Sequence, residues 1–368
     1  MKRMGVVILL GTFLIGFGAA AYGLSLCDYR SPVTALTDAG LSFTYRYYND
    51  AATPAIDVNS GRIGVDYDQL YDSPNYGFTL AGSAEVSLDQ FLPTGWLGQG
   101  AATFRYYPVE DGLFFAFGGL QASMATGQPR PGADVSVGGG VGRLTDVTPL
   151  SKAFLIEDEL LSLGAIDQGL SDDVLLGIAS VIGRAAEYDT VKEMVADIET
   201  PIEAAAGVTL DARALLSIEE IILQTGNERK CGWALQAGIG YELIDPYGGA
   251  QNVVITGSAD AALASCPSDQ LLVHAGFSGP FDIADENTLT ANLSYEYLLS
   301  ETSTVTAGYS LQRVKPAGLP VNVSQAASLA LGFDIGGADV VLQISLTRDA
   351  GDPSWSIDVS VSAAMDLL

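Results

Sequence analysis

Basic residues are scarce in this chain of 368 residues. Lysine and arginine together number 17, against 44 aspartates and glutamates, and the formal net charge at pH 7 is -27. A protein that binds nucleic acid needs a basic surface to neutralise phosphates, so we predict no nucleic-acid partner. Charged residues make up only 17% of the chain and apolar residues 48%, which excludes an acidic disordered protein.

Long apolar runs are equally scarce, and the one that exists lies at the N-terminus. Crossing a bilayer as a helix takes about 20 apolar residues, so a protein built from membrane-spanning helices is excluded. Residues 5–18 are apolar, follow Lys2 and Arg3, and precede three alanines, which is typical of a secretory signal peptide. We predict a signal peptide over 1–21, with cleavage as late as residue 23. The alternative is a retained N-terminal anchor helix.

Histidine occurs once, as His274, and cysteine three times. A histidine with no cysteine or second histidine nearby does not have the spacing of a zinc site, and as a catalytic base it has no identifiable nucleophile. We therefore predict no catalytic residue, no metal and no cofactor, and a protein that is not an enzyme.

The cysteines predict one disulfide bond. Cys231 and Cys266 flank a turn at 245–249, so a hairpin would bring them together in an oxidising compartment. Their positions in the strands put them on opposite faces, which a bulge or a frayed strand end would have to reconcile. The alternatives are two free thiols or a bond from one of them to Cys27, and Cys27 could instead carry a lipid.

Most of the chain alternates between apolar and polar residues. Near the C-terminus, for example, Trp355, Ile357, Val359 and Val361 alternate with polar residues, and this period of two is the pattern of strands. We predict an all-β protein, a transmembrane antiparallel β-barrel of about 14 strands within a range of 12 to 16. Residues 22–144 would form its first part and 229–368 its second. The segments start near 40, 61, 76, 97, 112 and 133, and near 231, 252, 270, 287, 302, 325, 338 and 353.

The connections between these segments tend to be alternately short and long. Residues 72–75 predict a short turn, whereas 49–60 and 90–95 predict longer loops. Outer-membrane barrels have short turns at the periplasmic end and long loops outside, so this order places the N-terminus on the periplasmic side.

Residues 145–228 have a different pattern, with apolar residues at helical spacing. Thr148 followed by Pro149 is a favourable helix start, and Leu175, Ile178 and Ile182 fall on one helix face. We predict a small bundle of three or four amphipathic helices, inserted after the sixth strand and therefore on the periplasmic side.

With these features the sequence resembles bacterial outer-membrane β-barrel proteins, as a general porin-like class. The resemblance covers about 40–144 and 229–368, with aromatic residues near strand ends and a strand that runs to the C-terminus. Many such proteins end in an aromatic residue, whereas this chain ends Met365-Asp366-Leu367-Leu368. The resemblance implies a location in the cell outer membrane and contact with its lipid. It is also compatible with assembly into a homo-oligomer.

The polar residues of the alternating segments would face the interior of such a barrel. Acids outnumber bases among them, and many other inward positions are Gly, Ala or Ser, which leaves space and favours cations. The alternative is that these side chains hydrate or hydrogen-bond a filled interior. The glycines in 138–142 predict close packing or a bend rather than a phosphate loop. The pore-lining candidates are Arg46, Arg62, Asp66, Glu85, Gln99, Arg105, Gln236, Glu242, Asp260, His274, Asn292, Glu296, Gln312, Gln343 and Asp358.

The sequence therefore predicts a porin-like channel for small hydrophilic solutes or cations, in which the helical insert plugs the pore or docks a periplasmic partner. The second hypothesis is a non-conducting barrel that anchors another envelope component through 145–228. A third is a secreted soluble β-sandwich adhesin, which would need neither a lipid-facing stripe nor aromatic residues at both strand ends.

Overall fold

The structure, a computed structural model, describes residues 23–31, 33–48, 58–224, 227–248, 251–300, 302–316, 318–334, 339–348 and 354–366. Fourteen antiparallel strands form a closed barrel in which each strand pairs with its neighbours in the chain and β1 also pairs with β14. The prediction of an all-β antiparallel barrel of about 14 strands is confirmed. The strands are β1 Thr34–Tyr48, β2 Val58–Asp72, β3 Tyr76–Asp89, β4 Leu92–Tyr106, β5 Phe114–Ala125, β6 Gly132–Asp146, β7 Lys230–Ile244, β8 Val253–Leu263, β9 Asp269–Pro280, β10 Asn287–Ser300, β11 Ser303–Lys315, β12 Asn322–Asp334, β13 Asp339–Arg348 and β14 Ser356–Asp366.

The connections differ in length between the two ends of the barrel. Apart from the helical insert itself, the connections at the insert end have two to seven residues. The connections at the opposite end have six to nine residues, with one exception. That exception corrects the loop predicted at 90–95. Gln90 and Phe91 alone join β3 to β4, with φ of 51° and 63°, as a two-residue hairpin turn requires. The Phe91 ring stacks on Tyr45 of β1 with centroids 4.0 Å apart, which supports the turn.

The side chains of each strand alternate between the inside and the outside of the barrel. Phe115 and Phe117 of β5 are buried inside, whereas the adjacent Phe114 is 75% exposed outside. Directly paired residues share a face, so the register extends this assignment from β5 to the other strands. The outward face carries exposed apolar side chains, among them Leu41, Phe43, Val65, Leu80, Trp96, Phe104, Leu120, Trp233, Leu235, Ile239, Leu329, Ile344 and Val359.

Four helices lie between β6 and β7: α1 Thr148–Ser162, α2 Asp172–Ile182, α3 Val191–Ala206 and α4 Ala212–Leu223. The side chains of Thr190 and Asp211 accept backbone N–H groups at the starts of α3 and α4, which caps these helices. No helix among the described residues is both long and apolar enough to cross a membrane. The apolar helix faces share one core, which includes Leu150, Ile156, Leu160, Ile178, Ile198, Ile202 and Ile218.

The N-terminal segment, residues 23–31, completes this core before the chain enters β1. Ser25 and Asp28 cap each other's backbone N–H groups around a short 3-10 helix, Leu26–Asp28. Leu26 and Tyr29 are buried in the bundle, and the Tyr29 hydroxyl donates to the Ala179 carbonyl of α2 at 3.0 Å. Burying side chains of this size contributes about 1.5–3 kcal/mol each, so the segment is a structural part of the bundle. The predicted signal peptide lies outside the described residues.

Candidate functional site

The strand register places all fifteen predicted pore-lining residues on the inward face. For one of them, Arg46, the structure describes the backbone but not the side chain. They do not form one cluster. Asp66, Gln99, Gln236, Asp260, His274, Asn292 and Gln343 lie near mid-strand, Arg105 and Glu296 toward the insert end, and Arg46, Arg62, Glu85, Glu242, Gln312 and Asp358 toward the opposite end. Two rows are paired directly, Asp66–Ser83–Gln99–Ser123 and Asp260–His274–Asn292–Ser310. That solutes pass along this face stays a prediction.

An acidic recess lies on the inner wall formed by β2 to β6. Its volume is about 450 Å³, and its lining includes Asp66, Asp68 and Asp134 together with Gln99 and Ser123. None of the residues that line it is lysine or arginine. Asp68 and Asp134 were not among the predicted residues, although Asp68 follows Asp66 at the spacing of two that puts both side chains on one face. Three carboxylates in a lining that contains no lysine or arginine make this wall attractive to cations.

His274 is held on the facing wall by a carboxylate. Its Nδ1 lies 2.6 Å from Oδ1 of Asp260, and the Ser258 hydroxyl donates to the other carboxylate oxygen at 3.4 Å. A carboxylate at this distance orients the imidazole ring and its tautomer. The pair adjoins a second recess of about 280 Å³ that also contacts Asn292. Within the described ranges, no three His, Cys, Asp or Glu side chains come close enough together to hold a metal ion.

The glycine-rich part of β6 serves as a flat surface for two phenylalanines. A Cβ on Gly140 would overlap the ring of Phe115, and a Cβ on Gly138 would lie 2.7 Å from the ring of Phe117. Both distances are shorter than a Cβ contact allows, so any larger residue would displace these rings. The prediction that the run 138–142 serves close backbone packing agrees with this geometry.

Two further glycines reverse the alternation where β6 and β7 reach the insert end. Gly142 has φ of 107° and Gly232 φ of 114°, a conformation that residues with a Cβ rarely adopt. Arg143 and Trp233 are register partners, yet Arg143 is bound in buried contacts whereas Trp233 is 47% exposed. Partners in regular strands share a face, so the glycines account for the inward turn of Arg143 and for the burial of Cys231.

The Arg143 guanidinium connects β6 to the β2–β3 turn and to the β4–β5 connection. It lies 3.3 Å from the carboxylate of Asp72, donates to the Pro74 carbonyl at 3.1 Å, and lies 3.6 Å from Asp111. Its flat face is 3.9 Å from the centre of the Tyr107 ring, a cation–π contact. These contacts draw the β2–β3 turn and the β4–β5 connection over the insert end.

Arg229 makes a similar connection on the other side. Its side chain is buried, donates to the Pro267 carbonyl at 2.8 Å and pairs with Glu296 of β10 at 3.0 Å. The Asp146 N–H donates to the hydroxyl of Thr34, which links the end of β6 to the start of β1 at 3.5 Å. Contacts between strands that are not adjacent in the barrel therefore meet at the insert end.

The disulfide bond joins Cys27 to Cys231, and Cys266 is a free thiol. The predicted Cys231–Cys266 bond is therefore wrong, and the bond to Cys27, one of the stated alternatives, is the one that forms. The reversed alternation buries Cys231 toward the bundle, where the N-terminal segment brings Cys27, and both sulfurs lie within 4 Å of the Ala264 carbonyl. Cys266 lies in the connection between β8 and β9, where its N–H donates to the carboxylate of Asp269. A sulfur in a disulfide cannot also carry a lipid, which excludes lipidation of Cys27.

Two buried ionisable side chains bind helix ends within the bundle. The Lys152 ammonium donates to the carbonyls of Ile222 and Gln224 at the end of α4, at 2.7 and 2.8 Å, and burial lowers the pKa of Lys152. Glu157 accepts the Leu170 N–H ahead of α2, and burial raises the pKa of Glu157. Desolvation disfavours the charged form in both cases, so these groups are held by hydrogen bonds rather than by hydration.

No protein-family model and no curated protein matches the sequence. Among solved structures, the chain is similar to the outer-membrane channel DcaP of Acinetobacter baumannii, with 8% identity, TM-score 0.36, and coverage of 91% of this chain and 97% of that one. It is also similar to OprB of Pseudomonas putida, with 10% identity, TM-score 0.31, and coverage of 92% and 93%. A third is the CymD monoaromatic hydrocarbon channel, with 9% identity, TM-score 0.31, and coverage of 95% and 92%. Similarity at this level carries no argument about a solute or a partner.

Proposed function

We propose that the protein is an outer-membrane channel for small hydrophilic solutes, with a preference for cations, and that the helical bundle plugs it from the periplasmic side. The closed barrel supports the membrane location, because its strands satisfy their backbone hydrogen bonds and present apolar side chains outward. The observation that carries the transport proposal is the acidic recess on the inward wall.

The preference for cations follows from the charges on this wall. Asp66, Asp68 and Asp134 line one recess without a basic residue, and across the interior Asp260 adds a carboxylate that His274 partly offsets. A solute that crosses the barrel would meet these groups on its way, and the low dielectric of the surrounding wall strengthens their field.

The plug assignment is supported by the contacts at the insert end. Arg143, Arg229 and the Cys27–Cys231 bond connect strand ends, turns and helices across that end of the barrel. We infer that these contacts hold the bundle across this end of the barrel, so we expect the intact protein to conduct little and the barrel without the bundle to conduct more.

The test is single-channel conductance in a planar bilayer, comparing the full chain with a variant that lacks residues 148–228. Asp146 and Lys230 are register partners and the Val147 N–H donates to Arg229 O at 2.8 Å, so an Asn-Gly turn can rejoin β6 and β7. We expect a small current from the full chain and a large cation-selective current from the deletion. Silence from both, with a folded barrel on heat-modifiable gels, would contradict the channel.

The charge of the recess gives a second readout. Replacing Asp66, Asp68 and Asp134 together by Asn should move the reversal potential in a salt gradient toward zero. The matched control, Asp358→Asn, removes one inward carboxylate outside the recess and should change the reversal potential less. Equal shifts per charge would mean that the recess has no special role.

A second candidate function is a non-conducting barrel that anchors another envelope component through the bundle. The specific observation in its favour is the pair of leucines exposed on α4, Leu216 and Leu223, which contribute nothing to the core of the bundle. Silence in both conductance experiments would favour this candidate.

A further inference from the structure

Helix α4 has apolar residues on two faces, and only one of them is packed. Ala214, Ile218 and Ile222 are buried against the other helices. Leu216 and Leu223, seven residues apart and therefore on one side of the helix, are 63% and 56% exposed. The second face is therefore apolar but makes no contribution to the fold of the bundle.

This second face lines a groove between α4 and α1. The groove has a volume of about 550 Å³, and its walls combine Leu216 and Leu223 with Glu159 of α1 and with Glu219 and Glu220 of α4. None of the residues that line it is lysine or arginine. The combination of an apolar floor and three bordering carboxylates distinguishes α4 from an ordinary solvated helix.

The charge of the whole bundle limits what this groove can accept. Residues 148–228 contain 16 acidic residues and four basic ones. Of those four, Lys152 is bound to the end of α4 and Arg184 is near Glu187. A second copy of this chain or an anionic lipid surface would place like charges together, which costs free energy. A basic partner with apolar side chains satisfies both the leucines and the carboxylates.

We propose that the groove between α1 and α4 docks an amphipathic helical segment of another envelope protein, one that presents leucine-like side chains at helical spacing flanked by Lys or Arg. The mode is that of a helix in a groove, with the apolar side chains against Leu216 and Leu223 and the basic ones against Glu219 and Glu220. The proposal deepens the docking role given above as the second candidate function. It rests on that role and not on conduction.

The test uses the full-length protein in detergent and a fluorescent synthetic helix of Leu and Lys, with its Leu and Glu counterpart as the comparison peptide. Replacing Leu216 and Leu223 by Ser should weaken binding of the Lys peptide by about tenfold or more, because a helix docks in a groove through its apolar anchors. Replacing Glu219 and Glu220 by Lys should weaken the Lys peptide similarly and strengthen the Glu peptide.

The matched control places the same charge change elsewhere on the bundle, as Glu193→Lys and Glu199→Lys on α3. It should leave the affinity for both peptides within about twofold, since these residues lie outside the groove. An equal loss in the control would show attraction to net charge alone and would overturn the proposal.

The deletion of 148–228 distinguishes a failure of this groove from a failure of the docking role of the bundle. Peptide binding that the deletion abolishes but the groove variants do not change would retain a docking role for the bundle and reject this groove. Binding that survives the deletion would reject both. The circular dichroism of each substitution variant should match that of the parent, because all four substituted groove residues are surface positions that the core does not use.

Discussion

The Cys27–Cys231 bond fixes the N-terminal segment to the barrel, and Cys231→Ser should release it measurably. When the barrel stays folded, the bond closes a loop of only eight residues, from Cys27 to Thr34, where β1 begins. The chain-entropy relation for a loop of that length gives about 2.5 kcal/mol at 25 °C. The same relation applied to complete unfolding, where the cysteines are 204 residues apart, gives about 5 kcal/mol.

The expected local effect is an increase of about 60-fold in the fraction of molecules with the segment detached, since each 1.4 kcal/mol is a factor of ten. Leu26 and Tyr29 still favour the docked state, so most molecules should keep the segment in place. Hydrogen exchange measures this directly at the amides of Asp28 and Tyr29, which donate to Ser25 and Leu26.

The matched control is Cys266→Ser, which removes the free thiol and leaves the bond intact. It should leave exchange at 23–31 unchanged. Unaltered exchange in Cys231→Ser, or a rise of equal size in the barrel strands, would refute the reasoning that the bond acts locally on this segment.

Three further outcomes can be measured on the same protein. Leu293→Arg on the outward face should cost about 2–4 kcal/mol of unfolding free energy in lipid vesicles, whereas Asn292→Arg on the inward face should cost well under half of that, and equal losses would contradict the assignment of faces. Arg229→Met should destabilise the protein by about 1–3 kcal/mol in denaturant unfolding, because the Pro267 carbonyl loses its buried donor and the half-buried Glu296 carboxylate loses its ion-pair partner, and a neutral effect would show that these contacts do not hold the insert end. Burial raises the pKa of Glu157 above the ordinary glutamate value, so between the two values the folded bundle binds a proton that the unfolded chain has lost. The melting temperature of the bundle, followed by circular dichroism, should therefore fall as the pH rises from the ordinary value to the raised one. Glu157→Gln should reduce this dependence of the melting temperature on pH.

The barrel itself could be predicted from the sequence because its information is local and repetitive. Each strand has one apolar and one polar face, so period-two alternation marks it without knowledge of its partner. The predicted starts near 76, 231, 270 and 287 fall within one residue of the starts of β3, β7, β9 and β10. The tight turn at Gln90 and Phe91 could not be predicted in this way, because it lacks the Asn-Gly signal and is supported by stacking on Tyr45 from another strand.

The disulfide bond and the buried contacts at the insert end depend on information that the alternation of apolar and polar residues does not contain. A hairpin around the turn at 245–249 favours a bond between Cys231 and Cys266, and nothing local in the sequence indicates that residues 23–31 pack into the helical bundle. The buried contacts of Arg143 were also missed, although two glycines close together at a strand end, Gly140 and Gly142, are a signal that the regular pattern stops there.

Gly142 of β6 and Gly232 of β7 set a boundary between two environments. In the proposed outer-membrane location, an outward side chain on one side of this boundary meets lipid, whereas on the other side Cys231 is buried in the core of the helical bundle. Arg143 and Cys231 lie just past this boundary, where a charged guanidinium and a disulfide replace the apolar residues that the outward face requires. The substitution pattern tolerated along β6 and β7 should therefore change within a single residue, from that of a lipid-facing strand to that of a globular domain.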